Sequence, residues 1–113
     1  MGKVLLVVLT KPVAGREDEY NEWYSGRHLD DILRMEGFTA AQRFEFVPSE
    51  LSDDAPFPYL AIYEAEEGSR ERAEAALLSA TKEQMPISKA MDRDNLKWWF
   101  ASIGDRVEAP QSS

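Results

Sequence analysis

The sequence predicts an α+β domain in which strand, helix, strand, strand, helix and strand follow one another, and three stretches carry that expectation. Lys3 to Leu9 (KVLLVVL) is apolar at both alternating sets of positions, the pattern of a strand covered on both faces and therefore central in its sheet. Glu19 to Phe46 passes from aromatic residues at helical spacing, through Gly37, into an alternating strand. Tyr59 to Ile103 repeats the order strand, helix, strand. Joined in that order, the elements give the ferredoxin-like split βαβ arrangement, a four-stranded antiparallel sheet with both helices on one face.

After the first strand, Lys11, Pro12 and Gly15 mark a loop. Glu17, Asp18 and Glu19 then place negative charge at the positive end of a helix dipole. The helix is expected to run to Met35, with Gly37 as its C-cap and Gly26 as a weak point where it either continues or splits. On an ideal helix Trp23, Arg27, Tyr20, Asp31, Tyr24, Met35, His28 and Ile32 fall on one half of the cylinder, so the chain's only histidine lies in the inward-facing arc. Phe38 to Val47 alternates. Phe38, Ala40, Gln42, Phe44 and Phe46 form the more apolar side, and Thr39, Ala41, Arg43, Glu45 and Val47 a mixed one.

Pro48 to Pro58 is rich in Pro, Ser and Asp and reads as an exposed connection. Tyr59 to Glu64 is the third strand. Ser69 is the expected N-cap of a second helix whose seam, Ala73, Ala76, Leu77 and Ala80, is small enough to lie close to a sheet. Thr81 to Asp94 is irregular around Pro86, with Ile87, Ala90 and Met91 as a short helical turn. Asn95 to Ile103 is the last strand, alternating Leu96, Trp98 and Phe100 with Lys97, Trp99 and Ala101. Residues 1–104 thus form one domain, and residues 105–113, without periodicity, are expected to be a mobile tail or an arm crossing onto a partner.

The chain's 113 residues suit one domain with a thin core, and a hydrophobic fraction of 43% is that of a folded protein. Thirteen basic residues against 21 acidic ones give a net charge of −8, and the basic ones never form a run, which argues against nucleic acid as a partner. The absence of cysteine excludes disulfides, thiolate nucleophiles and cysteine-bound metals. Val4 to Leu9 is shorter than a signal-peptide core and β-branched like a strand, and no stretch approaches a membrane span, so a soluble, cytoplasmic protein is expected. Helices cover only one face of such a sheet, yet its strands carry large apolar residues on both. A homodimer packed sheet on sheet resolves that mismatch.

The segment Glu19 to Phe44, E-Y-N-E-W-Y-x-x-R-H-L-x-D-I-L-R-x-x-G-F-x-x-A-Q-R-F, resembles the EthD-like branch of the dimeric α+β barrel superfamily. The motif spans about a quarter of the chain, and the order of elements extends the likeness over nearly all of it. Asp30 and Glu36 depart from it, standing where such proteins often have proline. The resemblance implies a ferredoxin-like domain forming a dimeric α+β barrel, with the family's histidine at His28 and its acidic position at Asp31. It covers cofactor-independent cyclases, isomerases and decarboxylases, monooxygenases and haem-handling proteins.

His28 is the candidate catalytic residue. A free imidazole titrates near neutrality and exchanges protons, and Asp31 is placed to hold one tautomer. The competing reading is a partly buried histidine satisfied by a carbonyl or by Asp31. Tyr24, one turn from His28, and Arg43, a potential partner for a carboxylate or phenolate, are candidate substrate-binding residues beside Asp31. Tyr63 and Trp98 are candidate cavity walls, and core packing is the alternative for both. One histidine without cysteine gives no expectation of a metal. The function expected is therefore cofactor-free proton transfer on a hydrophobic aromatic or lactone-like molecule, of isomerase, cyclase or decarboxylase type. The alternatives are a non-catalytic small-molecule-binding or accessory protein and, further off, a haem-handling protein or monooxygenase.

Overall fold

A computed structural model describes residues 2–111. Its elements are β1 (Lys3–Thr10), α1 (Glu17–Trp23), a π-helical turn (Tyr24–His28), α2 (Leu29–Leu33), β2 (Phe38–Glu45), β3 (Tyr59–Glu66), α3 (Arg70–Ser79) and β4 (Leu96–Ala101). The sheet order is β2-β3-β1-β4, with every neighbouring pair antiparallel. β1 therefore lies between β3 and β4, as its two apolar faces require. The architecture is α+β and ferredoxin-like. Among the described residues no helix is long and apolar enough to cross a membrane.

The core forms on the helix side of the sheet. Val4, Leu6 and Val8 of β1 and Tyr59, Ala61, Tyr63 and Ala65 of β3 are buried beneath Tyr20, Tyr24, Ile32 and Ala73. Gly37 follows the first helical segment with φ 95°, and a Cβ built on it would stand 2.9 Å from the Cβ of Ala73. Glycine there serves both the left-handed turn and the close approach of α3. Ser69 precedes α3 as expected, but its hydroxyl caps no backbone N–H; it accepts a bond from the Arg72 guanidinium instead.

Two further expectations are corrected. A bulge between Phe38 and Ala40 in the pairing with β3 reverses which residues of β2 face the helices. Phe38 points to the core opposite Ala65. Beyond the bulge Ala41, Arg43 and Glu45 oppose the core residues Tyr63, Ala61 and Tyr59, and Phe44 falls on the other face. Residues 81–95 form no helical turn at Ile87 to Met91. They are tied to the loop after β1 by a Pro12–Met91 bridge and by bonds from Val13 N to Ala90 O and from Asp92 N to Lys11 O.

Among the described residues nothing covers the second sheet face. Leu5, Val7, Leu9, Leu60 and Ile62 lie half-buried there, beside the more exposed Phe44, Leu96, Trp98 and Phe100. Residues 102–111 are irregular and exposed, and the last two residues of the predicted tail lie outside the described residues.

Candidate functional site

A cavity of about 440 Å³ opens between the helix side of the sheet, the first helical segment, α3 and the strap 81–95. That volume lies within the roughly 300–1,000 Å³ usual for small-molecule sites. Leu6, Val8 and Thr10 of β1 and Tyr63 of β3 contribute its sheet side. Tyr24, His28 and Ile32 stand over them, Leu77 and Leu78 of α3 face Met85, Ile87 and Met91 of the strap, and Lys97 to Trp99 close the β4 edge. The walls are mostly aromatic or aliphatic, with two thioethers able to adapt to irregular shapes.

The π turn determines how His28 enters this cavity. Leu29 N bonds Tyr24 O, five residues back, in place of the α-helical carbonyl four residues back. Residues five apart point well away from each other on an α-helix, but one wide turn brings them onto the same side. The imidazole of His28 accordingly stacks on the indole of Trp23, with centroids 4.5 Å apart and planes at 26°, and meets Tyr24 edge-on at 4.7 Å. Trp23 is anchored in turn by its Nε1–H, which donates to Pro86 O at 3.2 Å. Gly26, at the middle of the turn, is exposed with open space around it. The helix thus neither continues regularly nor splits there; it widens.

No protein group within the described residues bonds the imidazole. Nδ1 is sealed from solvent without a partner, Nε2 bonds no protein group either, and the ring borders the cavity. Burial pushes the pKa down to about 4; the charge of Asp31 opposes this, and those of Lys97 and Arg43 add to it. His28 is therefore neutral at pH 7. Stranding an N–H in apolar surroundings costs more than stranding a lone pair, so the proton belongs on Nε2 and the ring presents a donor to the cavity. A general acid/base with a pKa near neutrality, as the sequence suggests, is not what this environment makes.

Tyr24 and Tyr63 both reach the cavity, and Tyr63 Oη–H donates to Tyr24 Oη at 3.0 Å. Burial raises both hydroxyls, Tyr24 to about 12, so each is a neutral polar group. Asp31 is almost wholly buried but serves elsewhere. Its Oδ2 accepts from Arg27 Nε and its Oδ1 from Arg34 Nη1, both at 3.1 Å, and it makes no bond to His28. The expectation that Asp31 holds a histidine tautomer is corrected: the carboxylate is committed to two arginines on its own helix.

Arg43 does not line the cavity either. Its guanidinium lies over the ring of Tyr24 at 4.4 Å, near those of Tyr20 and Tyr59, and donates to Ser25 Oγ and Asn21 Oδ1 at 2.8 Å each. It clamps β2 to the helix by cation–π contact, one layer behind the site. Trp98 touches the cavity from β4, but its pairing with Val7 places it with the residues of the uncovered face. The indole belonging to the cavity side is Trp99, which pairs with Leu6, stacks on Phe38 and donates from Nε1 to Glu74 Oε1. Trp99, Thr10, Met85, Met91 and Lys97 are site residues that the sequence reasoning missed. The alternation of β4 held the signal for Trp99 and Lys97; nothing local marked the strap. Among the described residues, no three His, Cys, Asp or Glu side chains gather where they could hold a metal ion.

No family model matches the sequence, and no curated protein matches it significantly. Solved structures do match in shape. A candidate monooxygenase from Shewanella loihica superposes with a TM-score of 0.56 at 13% identity, over 95% of this chain and 99% of that one. An EthD family protein from Bacillus halodurans gives 0.53 at 14% identity, over 95% and 100%. A DABB family protein with a ferredoxin-like fold from Mesorhizobium loti gives 0.57 at 7% identity, over 92% and 100%. At such identities the likeness establishes a shared fold, the one that the sequence motif and the order of elements imply.

Proposed function

We propose that this protein binds a small, mostly apolar molecule bearing a carbonyl or phenolic oxygen, and that His28 donates from Nε2–H to that oxygen. One observation carries the reading. A buried, neutral imidazole with no bond to the protein opens into a largely apolar cavity, and an acceptor on a ligand would give it the partner it lacks. A donor fixed in a low-dielectric site stabilises an enolate more than it stabilises the ketone, so the same contact favours cofactor-independent isomerisation, cyclisation or decarboxylation of aromatic or lactone-like compounds. Tyr24 and Tyr63 supply neutral hydroxyls beside it. The fold shared with a candidate monooxygenase and an EthD family protein is compatible with such a role.

A non-catalytic binding protein is the second reading. It is favoured by the cavity's titratable groups, since His28 at about 4 and Tyr24 at about 12 both lie far from the neutral range where a proton shuttle works best. Coumarin and 2-naphthol separate these outcomes when followed by thermal shift and by tryptophan fluorescence. Both are expected to stabilise the wild-type protein, with affinity reduced roughly tenfold in the His28→Ala protein for one lost hydrogen bond. Absence of binding, or binding indifferent to His28, overturns the proposal; binding without turnover of any enolisable analogue leaves the non-catalytic reading. A second copy of the chain belongs to the proposal too, packed on the uncovered sheet face, whose Phe44, Trp98 and Phe100 are exposed apolar groups.

A further inference from the structure

We infer that the cavity's ligand carries a carboxylate and that Lys97 of β4 holds it; this rests on the cavity being a small-molecule site. Lys97 pairs with Val8, so it belongs to the sheet face on which Leu6, Val8 and Trp99 border the cavity, and it borders the cavity itself. No carboxylate lies within 4 Å of its Nζ among the described residues, although the chain carries 21 acids.

The one acid of the cavity, Glu74, is already committed. Its Oε2 faces Arg70 Nη1 at 3.5 Å, and its Oε1 accepts from Trp99 Nε1 at 3.0 Å. The cavity therefore keeps one uncompensated positive charge in a protein whose net charge is −8. That charge is felt inside, because Lys97 is one of the groups depressing the pKa of His28. A lysine on a flexible stem at the rim of an apolar cavity holds an anionic head in partly wet surroundings while a flat body enters beyond it. The four other cations without an ion pair among the described residues offer no such place. Arg43 is bonded to Asn21 and Ser25 a layer behind, Lys89 and Arg93 border a separate groove shared with Asp92, and Lys82 does not line the cavity.

The test uses two probes of one shape, 2-naphthoate and the uncharged 2-naphthamide, titrated against the full chain at pH 7.5 by tryptophan fluorescence. The wild-type protein is expected to prefer the carboxylate by roughly tenfold, the scale of a charge-assisted contact, and to lose that preference as salt rises. Lys97→Met is expected to abolish the preference by lowering naphthoate affinity to that of naphthamide, Lys97→Arg to retain most of it, and Lys89→Met to retain all of it. Equal binding of the two probes by the wild type, a stronger hold on naphthamide, a preference that survives Lys97→Met, or an equal loss in Lys89→Met overturns the role of Lys97 alone. Failure of both probes to bind the wild-type protein overturns the cavity reading itself, and this inference with it.

Discussion

Acidification through the range in which a free histidine titrates should weaken the fold through His28, by an amount the structure sets. The imidazole's pKa is 6.5 when exposed and about 4 in the folded chain, because burial disfavours its charged form. Between those values the unfolded state holds a proton that the native state refuses. The contribution is therefore fully present above pH 6.5 and is lost as pH falls toward 4. With these two values, linkage gives a loss on the order of 1 kcal/mol by pH 5.5 and of 2–3 kcal/mol by pH 4.5, relative to pH 7.5. Carboxylates also titrate at the acid end, so the quantity to follow is a difference. Urea unfolding of the wild-type and His28→Gln proteins across this range should show the wild type losing that much more. Because His28 is the only histidine, its ring resonances are identified without assignment, and they should stay neutral to below pH 5. A wild-type minus variant difference flat to within about 0.5 kcal/mol, or a ring that titrates above pH 6, would refute the sealed, unpartnered imidazole.

Two other outcomes follow from contacts already described. Asp31→Asn should cost about 1–3 kcal/mol by urea unfolding, because a buried acceptor of two guanidinium bonds is weakened while Arg27 and Arg34 regain only water. The same variant should leave the His28 ring in its Nε2–H tautomer by nitrogen-15 shifts; a changed tautomer would restore the direct link that the bonds of Asp31 argue against. Phe100→Glu puts a charge in the uncovered sheet face, so sedimentation should report a two-chain mass for the wild type and a one-chain mass for the variant. A monomeric wild type would dismiss the sheet-on-sheet pairing.

Order and type of elements were legible because they depend on local chemistry. The doubly apolar β1 had to be central, the acidic start and Gly37 bracketed the helical segment, and the alternation of β4 put Trp98 and Trp99 on opposite faces, although it did not say which face holds the cavity: Trp98 was the expected wall and Trp99 is the indole on that side. The inward position of His28 was legible too, as the one imidazole in an aromatic arc. Its neighbours were not. A single-residue bulge in β2 exchanges the faces of everything after Thr39, which is how Arg43 comes to lie against Tyr24 while Phe44 joins the uncovered face. Nothing in the alternation of the strand announces it.

By itself, then, the sequence determined an α+β sheet with one helix-covered face and an inward-facing histidine, since periodicity and turn chemistry act over a few residues. Only the tertiary structure decided what that histidine is. The π turn that stacks it on Trp23 and the strap that anchors Trp23 through Pro86 O bring together parts of the chain more than sixty residues apart. Its low pKa and its unpartnered Nδ1 come from that enclosure. A residue's protonation depends on everything packed around it in three dimensions, and no local pattern carries that information.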